Sequence, residues 1–213
     1  MGILYGHRCV LCGADFPVTT SRTLQLCPDC AAAVRREYRC NEVISIAGAD
    51  GTIAPLYYRG TVRNAMKRFK FSSAAYCADW FAAQMSVALT ARLDDWQPDL
   101  ITYMPIGFLH YRKRGYNQAE WLAKGISDVL HIPVDTHTLY RVRRTKPQKK
   151  LNDIERKQNL QGAFSVKCAL PPNACILLVD DIYTTGSTVD EAARCLQAAG
   201  ECKVYVAAVA IGG

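Results

Sequence analysis

The stretch Ile176-Leu177-Leu178-Val179-Asp180-Asp181-Ile182-Tyr183-Thr184-Thr185-Gly186-Ser187-Thr188 carries the most information in this chain. Four apolar residues in a row read as a strand buried on both faces, and the small polar residues after them read as a turn into a helix at Thr188–Ala199. In open α/β sheets, ligands collect beyond the carboxyl ends of strands, where a helix N-terminus offers free N–H groups and positive partial charge to a phosphate. Gly186 lets the backbone approach an anion closely, and the hydroxyls of Thr184, Thr185, Ser187 and Thr188 add donors. Thr188 with Glu191 fits a capping box that would mark the helix start. Carboxylates beside a phosphate site repel the ligand unless they face something else, and Asp180 and Asp181 are suited to accept hydrogen bonds from a vicinal diol. The loop Asp180 to Thr188 therefore reads as a site for a ribose with its 5′-phosphate. A nucleotide-hydrolysing P-loop is excluded because Gly186 stands where that motif needs lysine.

Outward from this stretch, strands and helices alternate. Val43 to Ala47, Ile53 to Tyr58, Asp99 to Met104, Cys175 to Val179 and Lys203 to Ile211 read as strands. Thr61–Phe71 reads as a helix with Val62, Ala65, Met66 and Phe69 inward and Arg63, Lys67, Arg68 and Lys70 turned elsewhere. Ala74–Leu93 reads as a longer apolar helix, and Asn117–Leu130 as one with Ala119, Leu122, Ala123, Ile126, Val129 and Leu130 inward. Non-alternating apolar strands between helices imply an α/β fold whose parallel sheet is covered on both faces. The 213 residues suffice for one such domain and a small appendage. Half of them are hydrophobic, no apolar run reaches the roughly 18 residues of a membrane helix, and Met1 to Arg8 lacks an export signal. A cytoplasmic protein without membrane insertion is expected.

Ten cysteines are present. Cys9-x-x-Cys12 and Cys27-x-x-Cys30 have the rhythm of a four-thiolate zinc site, in which each pair turns two sulfurs toward one tetrahedral ion. The flanking segment has no core of its own, so a structural Zn²⁺ would supply its folding energy. A redox pair would want its cysteines opening a helix after a strand, and Cys9 follows no strand pattern. Cys40 lies off the rhythm but could substitute as a ligand. Cys77, Cys175, Cys195 and Cys202 fall in apolar elements as small buried residues.

Lysine and arginine exceed the acids by 26 to 19. Arg141, Arg143, Arg144, Lys146, Lys149 and Lys150 surround Pro147 in a segment expected to be an exposed loop. Arg112, Lys113 and Arg114 form a second patch and the exposed face of Thr61–Phe71 a third, with Tyr57, Tyr58, Tyr111, Tyr116 and Tyr140 nearby. Such combinations serve single-stranded DNA, and equally the phosphates of a small ligand together with general solubility.

The thirteen-residue stretch resembles the PRPP-binding motif of type I phosphoribosyltransferases. The wider chain resembles the ComF/GntX family over nearly its whole length, through Ala54 to Gly60 with Lys67 to Phe71, Arg114 to Gln118, Arg156 to Asn159 and Gly162 to Phe164. That resemblance implies a zinc ribbon at 1–42 and a phosphoribosyltransferase-like domain at 43–213. It implies PRPP on Asp180, Asp181, Thr184, Thr185, Gly186, Ser187 and Thr188, with Mg²⁺ joining its pyrophosphate, and the stretch Pro105 to Asn117 as the pyrophosphate loop through Arg112, Lys113 and Arg114. It further implies a role in natural competence and the use of incoming DNA, beside a DNA-uptake helicase and a recombination mediator. No nucleobase hood and no defined catalytic acid or base is recognisable, so a working transferase, moving ribose 5-phosphate from PRPP to an acceptor, is the alternative.

Overall fold

The two apolar runs beginning at Cys175 and Lys203 form the longest strands and lie side by side at the centre of the sheet. The structure, a computed structural model, describes residues 7–16, 25–40, 43–46, 48–71, 74, 76–143, 159–168 and 170–212. Its first elements are β1 (His7–Arg8), β2 (Asp15–Phe16) and α1 (Pro28–Ala33), which runs into a π-helical turn at Val34–Tyr38. β3 (Val43–Ile46), β4 (Ala49–Ile53), β5 (Leu56–Tyr57), α2 (Gly60–Phe71), α3 (Cys77–Thr90) and α4 (Leu93–Trp96) follow. Then come β6 (Leu100–Tyr103), α5 (Phe108–Arg114), α6 (Gln118–Leu130), β7 (Leu139–Arg141) and β8 (Phe164–Val166). β9 (Cys175–Tyr183), α7 (Ser187–Ala199) and β10 (Lys203–Ile211) complete the described chain.

The main sheet has the order β3-β4-β10-β9-β6, with β5 pairing β10 beyond the end of β4. β4, β10, β9 and β6 are parallel, and only β3 pairs antiparallel, at the edge against β4. Strand residues alternate between faces, and both faces are covered. Leu177, Val179, Ala207 and Val209 share a core with α2, α3 and α6, while Ile176, Leu178, Val206 and Ala208 share a second core with α7 and the β7–β8 hairpin. Two buried faces explain why these strands read as unbroken apolar runs. Among the described residues no helix is long and apolar enough to cross a membrane.

The described apolar residues of the cysteine-bearing N-terminal segment pack into the main core. Val10, Leu11, Leu26, Val34 and Tyr38 are buried in the cluster that holds α2 and α3, and the Arg68 guanidinium on α2 donates to the carbonyls of Val10 and Leu11 at 2.8 and 2.7 Å.

Several expectations are corrected. β9 does not stop at Val179 but runs to Tyr183, kept in register by β10, so Asp180 and Asp181 belong to a strand end and not to a loop. α7 starts at Ser187 and its cap is Gly186, at φ +75° with no side-chain cap; Glu191 turns away to accept from the Gly162 N–H at 2.8 Å, so the capping box is not formed. Val129 is 53% exposed where an inward position was expected, whereas Leu130 beside it packs against the core as expected. Pro105 to Asn117 holds a short helix, α5, in place of an open loop. Arg141 lies in β7, paired with Phe164, and Arg143 donates to the carbonyls of Asn159 and Gln161 at 3.0 and 2.8 Å, which ties together the two flanks of the basic segment. Arg144, Lys146, Lys149 and Lys150 lie outside the described residues, as do Arg156 to Gln158.

Candidate functional site

A cavity of about 350 Å³ opens beyond the carboxyl ends of β6 and β9. Its floor is the end of β9 with the turn Thr184 to Ser187, and its walls come from Lys70 at the end of α2, Met104 to Ile106 after β6, and α5 with the start of α6. The turn is shaped by Gly186, where a Cβ would run into the Tyr183 ring and hydroxyl and would also suffer from the positive φ. Ser187 opens α7, so the first-turn N–H groups, which have no intrahelical acceptor, point their positive end at the cavity floor. The Thr185 and Ser187 hydroxyls lie 3.4 Å apart across this turn.

The acid pair is held tightly. Asp181 accepts from Lys70, with Nζ to Oδ2 at 2.8 Å, and its own N–H donates to Asp180 Oδ1 at 2.7 Å. Burial first and the adjacent Asp181 charge second push Asp180 up to about 7, against the pull of Lys70 and that N–H. Burial pulls Lys70 down, but Asp181 and then Asp180 more than offset it, so the ammonium is held above its ordinary value. Arg114 lies beside them, donating to Gln118 Oε1 at 3.0 Å and resting over the Phe71 ring, and burial lowers it. Arg141 stacks over Phe164 with burial lowering it too. His110 is lowered by burial first and then by Arg114, Arg141, Lys70 and Lys113 around it, which favours the neutral imidazole. Three cationic side chains, Lys70, Arg114 and Arg141, thus face two carboxyl groups and a helix N-terminus, an arrangement that attracts an anion bearing hydroxyls.

Of the residues read from sequence, the structure brings Asp180, Asp181, Thr184, Thr185, Gly186, Ser187, Thr188 and Arg114 to one cavity. Arg112 and Lys113 do not line it; both are exposed on the outer side of α5, where Arg112 stacks on Phe108. Arg141, read as part of a DNA-facing loop, lines the cavity instead. Lys70, His110 and Tyr58 were missed as site residues. The signal for Lys70 was its place four residues after buried Met66, at the border of the apolar stripe and not opposite it.

The resemblance also brought Mg²⁺ to this site. The acid pair does not fit it as a resident ion, because the Lys70 ammonium already sits on Asp181 Oδ2 and Arg114 and Arg141 line the same cavity, so a dication would meet like charge. The cysteines do fit a metal. The Sγ atoms of Cys9, Cys12, Cys27 and Cys30 all lie within 4.8 Å of one another, and those of Cys12 and Cys27 are 3.8 Å apart, the edge of a tetrahedron whose centre is about 2.3 Å from each sulfur. The Cys27 N–H donates to Cys9 Sγ at 3.4 Å; burial raises the Cys9 thiol, yet the hydrogen bonds it accepts outweigh that and bring it down to about 7. Cys40 is buried outside this group. Strand β1 does precede Cys9, but the chain then turns and does not enter a helix; Cys27 caps α1, with no strand leading into it among the described residues. Cys77 and Cys175 are buried as expected, whereas Cys195 and Cys202 are only half-buried.

No family model matches the chain. Competence protein F of Haemophilus influenzae is 33% identical over 66% of this chain and 64% of its own length, under two thirds of that protein. The DNA utilization protein YhgH of Escherichia coli K12 is 26% identical over 97% of this chain and 92% of its own length. Competence protein ComFC of Bacillus subtilis is 29% identical over 92% of this chain and 74% of its own length. The chain is a homologue of Competence protein F, ComFC and YhgH. The alignments with YhgH and ComFC cover nearly the whole of this chain. Among solved structures, a purine phosphoribosyltransferase from Pyrococcus horikoshii matches 62% of it at 18% identity with a TM-score of 0.37, too distant a likeness to carry an argument.

Proposed function

We propose that the chain binds PRPP or a related ribose 5-phosphate in the cavity beyond β9 and serves, in the cytoplasm, in the uptake and use of DNA. The observation that carries the reading is the convergence, on one cavity, of an acid pair suited to a diol and a helix N-terminus with Lys70, Arg114 and Arg141 suited to phosphate. The phosphate sits on the turn Thr184 to Thr188, and the ribose hydroxyls meet Asp180 and Asp181. The names of the relatives, competence and DNA utilization proteins, support the wider role. Single-stranded DNA, a DNA-uptake helicase and a recombination mediator are the partners this role calls for. Zn²⁺ closes the four-cysteine shell as a structural ion. Calorimetric titration of the full chain with PRPP is expected to show saturable binding that Asp181→Ala abolishes; no heat with PRPP, or identical heat in the variant, overturns the assignment.

A second reading, transfer of ribose 5-phosphate to an acceptor, is favoured by one observation: Asp180 is held near neutrality inside the cavity, where a carboxyl can exchange a proton. Pyrophosphate release from PRPP in the presence of a nucleobase, lost in Asp180→Asn, would establish it, and no release with any acceptor would leave a binding protein.

A further inference from the structure

We propose that Lys70 takes the place of a divalent cation at the acid pair, so that the cavity binds a ribose phosphate without metal. The inference rests on the sugar-phosphate reading above and adds to it the source of the positive charge. Two adjacent carboxyl groups next to a phosphate site need a cation between them and the ligand, since their charge otherwise opposes the phosphate's. A bridging metal ion is the common solution; here the chain supplies an ammonium.

Three features make Lys70 more than a surface lysine that happens to reach an acid. Its Nζ lies 2.8 Å from Asp181 Oδ2, and both side chains are largely covered, 28% and 11% exposed. Its backbone is fixed: α2 buries Val62, Ala65, Met66 and Phe69, and the Phe69 carbonyl one residue earlier accepts from the Tyr116 hydroxyl and from Gln118 Nε2. The cation is therefore delivered to the cavity from a pinned helix end, with little conformational freedom to lose when a ligand arrives. The third feature is the neighbourhood. Arg114 and Arg141 line the same cavity, so cationic side chains already outnumber the carboxyl groups and a dication entering beside Lys70 would meet like charge. One oxygen of each acid is already in use, Asp181 Oδ2 on the Lys70 ammonium and Asp180 Oδ1 on the Asp181 N–H, which leaves at most one oxygen of each for an ion that would also sit beside three cations. A ligand diol, by contrast, needs only single acceptors. Lys70 neutralises the acid that grips it and can hold a ligand oxygen with a second N–H, because an ammonium has three donors.

The test uses the full chain with zinc retained, in buffer freed of Mg²⁺ and other divalent cations by resin treatment in place of a chelator, and ribose 5-phosphate as the probe. Calorimetry is expected to give the same affinity with and without added Mg²⁺. Lys70→Met is expected to bind roughly thirtyfold more weakly in metal-free buffer, the scale on which loss of one partner of a covered charge pair is felt. Added Mg²⁺ should then recover part of that loss, because the acid pair has been released, and Lys70→Arg should retain most of the affinity. Circular dichroism melting checks that the variants fold, and the metal dependence of the unaltered chain stands without them. Binding by the unaltered chain only when Mg²⁺ is added overturns this inference and leaves the sugar-phosphate site in place. So does undiminished metal-free binding by Lys70→Met. Absence of binding in the unaltered chain under both conditions overturns the sugar-phosphate reading itself, and this inference with it.

Discussion

Asp180 stands one residue before the carboxylate that Lys70 holds, and its surroundings treat its charge less kindly. Burial and then the neighbouring Asp181 raise it to about 7, whereas an aspartate in an unfolded chain ionises near about 4. The folded protein therefore holds that proton more tightly than the unfolded chain does. The contribution of this one group to stability is greatest below about pH 4, falls as the pH rises toward about 7, and levels off above it. An amide stays neutral throughout, so Asp180→Asn is expected to raise the urea midpoint relative to the unaltered chain more at about pH 8 than at about pH 5. Equal shifts at both values would show that Asp180 is not the group responsible. At this scale the gathering of Asp180 to Thr188 at one cavity was legible because they lie in one unbroken stretch. Lys70, His110 and Arg141 were not, since they reach the cavity from three separate elements and look like ordinary surface charge in their own segments.

α2 works in two directions at once. Arg68 leaves it toward the cysteine segment and donates to two carbonyls there, and Lys70, two residues on, reaches Asp181. The segment that carries the cysteines has buried apolar residues and packs them against α2 and α3, so its stability depends on this contact and, with Zn²⁺ on the four thiolates as proposed, on the metal as well. Hydrogen bonds from a charged donor are worth about 1.5–3 kcal/mol each, and Arg68→Ala removes two that share one guanidinium nitrogen and so count for less than twice one, giving an expected loss of about 2–4 kcal/mol in denaturant unfolding. The same variant should release zinc faster to a colorimetric chelator, while Arg63→Ala, on the exposed side of α2, should change neither. Zinc release at an unaltered rate from Arg68→Ala would separate the two halves of this account. Apolar spacing identified α2 from its sequence, but spacing treats Arg63, Lys67, Arg68 and Lys70 alike as the polar face. Only the packing of the helix shows that two of the four are committed to partners.

For the molecule as a whole, the excess of 26 basic over 19 acidic residues is less available to a polyanion than it looks. Lys70, Arg114 and Arg141 face the cavity, and Arg68 and Arg143 hold backbone carbonyls. If single-stranded DNA is bound through Arg144, Lys146, Lys149 and Lys150, about four phosphates are neutralised and log affinity falls against log salt with a slope of roughly −3. Fluorescence anisotropy with a labelled oligonucleotide should show that slope flatten when these four are replaced by alanine. Arg141→Ala should weaken PRPP binding and leave the slope almost unchanged. A slope indifferent to the four substitutions rejects the basic segment as the DNA contact.

Order along the chain was enough to specify the parallel α/β sheet, the strand-to-helix turn with its acids and hydroxyls, and the pairing of the two cysteine couples. These depend on neighbours a few residues apart, where periodicity and spacing translate directly into geometry. Tertiary structure alone decided that β9 carries its acids inside a strand end, that a lysine from a distant helix grips one of them, and that Arg141 turns inward while Arg112 and Lys113 turn out. Those outcomes follow from how sheet, helices and hairpin pack around one cavity, and a charged side chain carries no mark in its own segment of the partner that packing will bring to it.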